Sequence, residues 1–283
     1  MLIQANAKLN LTLDVLSKRP DGYHDMRMIM QSISLADDLT IEPLAGEELR
    51  VKTNLHFLPN NEKNLAAQAA LRYWEARGQS PQGLDITIQK RIPVCAGMAG
   101  GSSDAAAVLR ALNQTEQEPL EPEALAKIGE LVGSDVPYCV VGGTALAEGR
   151  GEILTPLPPL PKCWVVVCKP DFPISTPALF ARIDSVRLRR HPDTKGAIDA
   201  LKAGDLAGIA RRMYNVFEDA LPERQRARVF DIKNVLIRCG ALGASMSGTG
   251  PTAFGLFDDE GRAKEAYEQL QEFSKDTFLT HTV

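Results

Sequence analysis

Apolar positions along the first half of the chain fall with two periods. Alternating or continuous apolar runs predict strands over residues 2–16, 28–35, 39–43, 49–53 and 84–89. Among them Leu65, Ala69 and Trp74 keep near-helical spacing, so residues 64–77 read as a helix closed by Gly78. Ala105, Val108, Leu109 and Leu112 stand at i, i+3, i+4 and i+7. They mark an amphipathic helix that starts at the turn-like segment 93–103. A further helix is predicted over residues 122–131.

Residues 154–161 hold four prolines in eight positions and can continue neither a helix nor a central strand. A linker is expected there, between one domain over residues 1–155 and another over 162–283. Beyond it the pattern predicts a strand at 164–168, helical segments at 176–183, 204–213 and 224–239, and a strand at 252–257. A last helix at 261–273 leads into a short terminal strand. Strands and helices mix without strict alternation, which points to an α+β fold rather than a doubly wound sheet.

Composition narrows the function classes. The 283 residues are 44% hydrophobic, enough for more than one core. Thirty-two basic residues face thirty-six acidic ones, for a net charge of -4 with no long block of either sign. Neither a nucleic acid nor an anionic membrane is therefore an expected partner, whereas a phosphate-bearing small molecule needs only a local positive pocket. The five cysteines are scattered, without a CxxC pair or a disulfide-like framework, as suits a reducing cytoplasm. Residues 1–13 lack the basic start and apolar run of a signal peptide, and no apolar stretch reaches the roughly 18 residues of a membrane span. His24, His56, His191 and His281 are too dispersed for a zinc site.

The chemistry concentrates in Pro93-Val94-Cys95-Ala96-Gly97-Met98-Ala99-Gly100-Gly101-Ser102-Ser103, just before an alanine-rich helix. Small residues let the backbone approach a ligand, and the helix turns its unpaired N–H groups and positive dipole end toward the loop. A triphosphate fits this combination. The spacing matches neither a Walker A loop nor the dinucleotide fingerprint. Ser102 and Ser103 are suited to capping the helix, binding a phosphate oxygen or reaching a magnesium ion, and Cys95 is expected to be a small packing residue. Asp135, between Gly133-Ser134 and Val136-Pro137, is either a proton acceptor or a helix cap. Lys8, in an apolar strand, either meets an anion or snorkels to solvent, and Asn10 lies on the same strand face. The turn at Asp21-Gly22 presents Tyr23 and His24.

The glycine-rich loop resembles the second motif of the GHMP kinases, the superfamily of galactokinase, homoserine kinase, mevalonate kinase and phosphomevalonate kinase. Ala7-Lys8-Leu9-Asn10-Leu11, Arg19-Pro20-Asp21-Gly22-Tyr23-His24, Gly133-Ser134-Asp135-Val136-Pro137 and Ser247-Gly248-Thr249-Gly250 extend the likeness over nearly the whole chain. They are similar to the branch that phosphorylates the 2-hydroxyl of a cytidyl diphosphate alcohol. The resemblance implies a two-domain GHMP kinase fold, with an amino-terminal domain like ribosomal protein S5 domain 2 and a ferredoxin-like carboxy-terminal domain. It implies ATP and Mg2+ as cofactors, with the ion's ligand left open, and a cytoplasmic monomer or weak homodimer. Within it Asp135 is the base and a substrate contact, Lys8 orients the hydroxyl and stabilises charge, and Asn10 touches substrate. Tyr23 and Phe180 stack on cytosine, His24 reads its polar edge, and Thr176 belongs to the same substrate segment. Residues 93–103 hold ATP, Asn64 and Lys90 lie near adenine, and Ser247-Gly248-Thr249-Gly250 is the third motif. Relatives often carry glycine where this chain has Cys95, Ala96 and Ala99.

Overall fold

The computed structural model describes residues 1–188 and 190–283. In chain order it opens with two long strands, β1 (Leu2–Lys18) and β2 (His24–Pro43), followed by β3 (Leu49–Thr53), α1 (Leu65–Ala76) and β4 (Leu84–Gln89). Next come α2 (Gly100–Gln114), α3 (Pro122–Glu130), α4 (Val136–Val141), β5 (Thr144–Gly149) and β6 (Ile153–Pro156). The second half continues with β7 (Trp164–Cys168), α5 (Thr176–Ile183), α6 (Thr194–Lys202), α7 (Leu206–Ala210), β8 (Tyr214–Asn215) and α8 (Phe217–Ala220). It ends with α9 (Glu223–Arg238), β9 (Gly243–Met246), β10 (Ala253–Phe257), α10 (Glu260–Gln271) and β11 (Thr277–His281).

The chain forms two compact units, and β1 and β2 each contribute residues to both. The first unit holds residues 1–7, 35–94 and 99–142. Here β4 pairs antiparallel with the second half of β2, Ile41 opposite Ile86, and parallel with β3, Val51 opposite Ile86. Helix α1 packs on α2, and α4 on both α2 and α3. Ile86, Ile88, Ala105, Val108, Leu109, Tyr73 and Val136 fill the core. Alanines 105, 106 and 107 are wholly buried there, which explains why the stripe on α2 is small rather than bulky: the helix lies close against its neighbours.

The second unit holds residues 8–34, 95–98 and 143–283. The first half of β2 pairs antiparallel with β5, whose other edge carries β6, and β1 pairs parallel with β8. The proline-rich run supplies β6 with its final residue, Pro156, on a strand whose one partner is β5, as a residue without an N–H requires. A separate four-stranded sheet has the order β11-β7-β10-β9 with every pairing antiparallel. With α9 between β7 and β9, and α10 between β10 and β11, this is the βαββαβ arrangement of a ferredoxin-like fold. Helix α9 packs on β9 and β10, and α10 on β7 and β11. The α+β expectation holds.

Residues 28–35 and 39–43, expected as two strands, belong to the single strand β2. The expected break fell at Asp37 and Asp38. Asp37 is fully buried, and its carboxylate accepts the backbone N–H of Arg91 (2.5 Å) and Ile92 (2.8 Å), so the strand continues through it. No helix among the described residues is long and apolar enough to cross a membrane.

Candidate functional site

Backbone conformation makes the loop at 93–103. Cys95, Gly97 and Ala99 have φ of 53°, 73° and 57°, in the left-handed region. For the two non-glycines this costs about 1–2 kcal/mol each, a strain that a short loop keeps when its path matters. Ala96 and Met98 are buried, whereas Cys95, expected to pack, is exposed. Ala99 is the N-cap of α2; it offers no capping side chain, and the first turn contains no acid. The first N–H groups of α2 are thus left without side-chain acceptors at the positive end of a 15-residue helix, which favours an anion. Of the two serines, Ser103 donates to the Asn6 carbonyl at 2.7 Å. The Ser102 hydroxyl bonds to no described residue. The neighbouring glycines sit close to the core: a Cβ at Gly100 would lie 3.1 Å from the Ile92 side chain, and one at Gly101 3.2 Å from Leu65, so either side chain would have to give by a few tenths of an ångström.

In the second unit, residues 95–98 meet the loop between β9 and β10. Ser247 Oγ donates to the Gly97 carbonyl at 2.9 Å, and a Cβ at Gly97 would collide with the Ser247 carbonyl oxygen. Asn10, fully buried on β1, accepts the Gly248 N–H at 3.0 Å and the Lys8 ammonium at 2.7 Å through its Oδ1. The Lys8 N–H donates to the Met98 carbonyl at 3.2 Å. Lys8 is itself buried, so its charge relies on polar partners such as Asn10, and snorkelling to solvent is excluded. Asn215 braces the same turn, donating to the carbonyls of Met246 (2.8 Å) and Gly248 (2.7 Å). Nothing in the local sequence pattern marked Asn215, because its partners lie more than thirty residues onward.

The Asp21-Gly22 turn forms as expected, with Gly22 at φ 87° and the Tyr23 N–H donating to Asp21 Oδ1 at 3.0 Å. That N–H, joined by the Arg19 guanidinium, holds the Asp21 carboxyl below its usual range. Tyr23 is exposed, with the Arg150 guanidinium 5.3 Å from its ring centre. His24 is buried; its ring centre lies 4.9 Å from that of Phe180, which in turn meets Phe217 edge-on at 4.9 Å. His24 Nε2 is 2.7 Å from Asp184 Oδ1. Asp184 was not anticipated, and its one signal is a position four residues after Phe180 at the end of the same helix. Thr176, the first residue of α5, pairs its hydroxyl with that of Thr249 at 2.9 Å.

In the first unit, Asp135 stands at the N-cap position of α4, half-buried, yet its carboxylate makes no capping hydrogen bond. The helix-cap alternative is therefore not how the side chain is used. Asn64 caps α1, accepting from the Ala66 N–H at 3.0 Å and donating to the Pro59 carbonyl at 2.8 Å. The Lys90 ammonium is buried between Asp37 (2.5 Å) and Asp104 (2.6 Å), beside Gly100. Burial, partly offset by Lys90 and reinforced by Asp37, pushes the Asp104 carboxyl up to about 7. Asp37 and Asp104 were missed as members of this site because the cluster joins three distant parts of the chain.

The family model for the GHMP kinases N terminal domain matches residues 64–143, and that for the GHMP kinases C terminal matches residues 197–276. A 4-diphosphocytidyl-2-C-methyl-D-erythritol kinase from Alkaliphilus metalliredigens is 44% identical over 99% of this chain and 96% of its own length. One from Lachnoclostridium phytofermentans is 45% identical over 98% of this chain and 96% of its own. A crystal structure of 4-(cytidine 5'-diphospho)-2C-methyl-D-erythritol kinase superposes with a TM-score of 0.82 at 32% identity, covering 100% of this chain and 99% of that one. The chain belongs to the GHMP kinases, in the branch formed by the 4-diphosphocytidyl-2-C-methyl-D-erythritol kinases.

Proposed function

We propose that this protein transfers the γ-phosphoryl group of ATP to the 2-hydroxyl of 4-diphosphocytidyl-2-C-methyl-D-erythritol, a step in the non-mevalonate route to isoprenoid precursors. The observation that carries the nucleotide half is the start of α2, where N–H groups without side-chain acceptors stand behind a loop held in left-handed conformations. The alcohol follows from full-length similarity to kinases of that name.

Phosphoryl transfer asks the protein for position and charge neutralisation, plus an acceptor for the hydroxyl proton. Residues 93–103 cradle the triphosphate with backbone donors. Asp135 takes the proton, which its side chain suits because it is not engaged in capping α4. Lys8 orients the hydroxyl and offsets the charge that builds on it, with Asn10 fixing the ammonium. Tyr23, Phe180 and His24 take the cytosine, Thr176 adds a hydroxyl from α5, and Asn64 belongs to the adenine side, which Lys90, its ammonium held by Asp37 and Asp104, supports from behind. At the loop the Ser102 hydroxyl would be an oxygen donor for a magnesium ion entering with ATP, which would supply charge neutralisation on the phosphates. The same assignment puts the enzyme in the cytoplasm as a monomer or weak homodimer without a nucleic-acid partner; the kinase domains expected at 1–155 and 162–283 differ from the two compact units, since residues 8–34 and 143–155 fall in the second. The net charge of -4 argues against a nucleic-acid partner, and five free cysteines suit the cytoplasm.

Initial rates of ADP release with the cytidyl diphosphate alcohol, mevalonate, homoserine and galactose test this assignment. Turnover is expected with the first alone. Turnover of another alcohol with no activity on the cytidyl compound would overturn the choice of substrate. Asp135→Asn is expected to keep ATP binding by calorimetry and lose turnover by about 100-fold or more, and unchanged turnover would remove it as the base.

A further inference from the structure

His24 begins β2, and Asp184 is the C-cap of α5. Between His24 Nε2 and Asp184 Oδ1 the distance is 2.7 Å, while Lys18, the last residue of β1, donates to Asp184 Oδ2 at 2.6 Å. The imidazole face rests near Phe180 at a tilt of 30°, and Phe180 is braced by Phe217. Position, tilt and one ring nitrogen of His24 are all set by neighbours within the same unit.

The proton in the short His24 to Asp184 contact has a definite place. Lys18 first, then His24, holds the Asp184 carboxyl below its usual range, so at neutral pH it is ionised and only accepts. Nε2 must then carry the hydrogen. In a neutral imidazole the other nitrogen, Nδ1, is left with a lone pair and no proton, so it too only accepts. Cytosine presents an amino donor at C4 and a bare N3. Uracil presents a carbonyl oxygen at C4 and an N3–H. An accepting Nδ1 is satisfied by the cytosine amino group, whereas opposite the uracil carbonyl two lone pairs would face each other.

We propose that Asp184 sets the base specificity of this kinase: by holding His24 as the Nε2–H tautomer, it makes the ring read the cytosine amino group and reject uracil. Asp184 acts through His24 and is a positioning residue. The proposal rests on the assignment of His24 to the polar edge of the base. Asn at 184 would present either a carbonyl that accepts from Nε2–H or an amide that donates to a bare Nε2, so both tautomers become accessible and the preference is lost.

The test compares kcat/KM for the cytidyl substrate and its uridyl counterpart in the wild type, Asp184→Asn and Asp184→Ala. A mismatched polar contact in a desolvated site costs about 1–3 kcal/mol, so the cytidyl preference is expected to fall by roughly 10-fold or more in the variants, with KM for ATP unchanged. A wild type that turns over both substrates equally, or a ratio that survives both substitutions, overturns the proposal. Nitrogen-15 NMR of the histidines gives an independent reading. His24 of the wild type is expected to carry its proton on Nε2, and the Nδ1–H form there would equally overturn it. His24→Ala separates the two levels: if it leaves KM for the cytidyl substrate unchanged, the base-site assignment falls and the proposal with it. If it raises that KM while Asp184→Asn preserves the ratio, the proposal alone falls.

Discussion

Two charge clusters, one in each unit, share a chemistry and differ in what they can do. In the first unit Lys90 sits between Asp37 and Asp104 with all three side chains no more than 6% exposed. In the second unit Asp184 sits between Lys18 and His24, with the Asp184 and Lys18 side chains 30% and 58% exposed and His24 only 6%. The sealed cluster ties β2, β4 and α2 together, and its charges have nowhere to go. The second engages His24 through Nε2 alone and leaves Nδ1 outside the ion pair. The difference lies in the carboxylates: those of the first cluster are sealed and can only brace, whereas Asp184 in the second stays within reach of solvent.

Breaking the brace should produce the largest effect. Lys90→Met leaves two buried carboxylates without their cation, and urea unfolding should report a loss of about 3–5 kcal/mol. A loss under about 1 kcal/mol would mean that the cluster is not what holds α2 on the sheet.

The brace should also show itself in pH. Asp104 is raised from the ordinary 3.8 to about 7 in the fold, so the folded protein holds this proton where the unfolded chain releases it. The resulting stability is fully present below about pH 4 and is lost as pH rises through about 7, with a slope approaching about 1.4 kcal/mol per pH unit at its steepest. Asp104→Asn removes the titration, and the stability difference between wild type and variant should drift with pH over that window. A difference that stays flat would place Asp104 outside the titrating groups.

Backbone holding gives a third, smaller effect, this time on kinetics. Gly97→Ala forces a side chain into a left-handed position and against the Ser247 carbonyl, displacing the loop. Misplacement of about 1 Å costs up to about 100-fold in rate, so kcat/KM for ATP should fall toward that size while the unfolding midpoint moves little. The smallest effect is predicted for the open cluster. Lys18→Met should leave the thermal midpoint in place, since exposed ion pairs contribute little. A large drop there would erase the distinction between the two clusters.

Much of this was legible along the chain, because the informative signals were local. The apolar stripe at Ala105, Val108, Leu109 and Leu112 lies on α2, and the proline run ends regular structure after β6. The GHMP loop motifs fall at the uncapped helix start and at the hairpin between β9 and β10. What escaped depended on partners far away. Asp37 looked like a strand break because the N–H groups that satisfy it belong to residues 91 and 92. Helix α6 escaped because its start, capped by Asp193, follows a basic, proline-marked stretch without apolar periodicity. Lys90 was expected near adenine by resemblance, but its two carboxylate partners were not legible. Asp184 could be suspected only once α5 was seen to bring it within reach of His24.

The central claim is a transfer between two named atoms, and phosphorus-31 NMR of one reaction mixture tests it most directly. With ATP, magnesium and 4-diphosphocytidyl-2-C-methyl-D-erythritol, the γ-phosphoryl signal should give way to ADP and to a new phosphomonoester on the 2-position of the methylerythritol unit. ADP accompanied only by inorganic phosphate, or an unchanged spectrum at high enzyme concentration, would contradict the account.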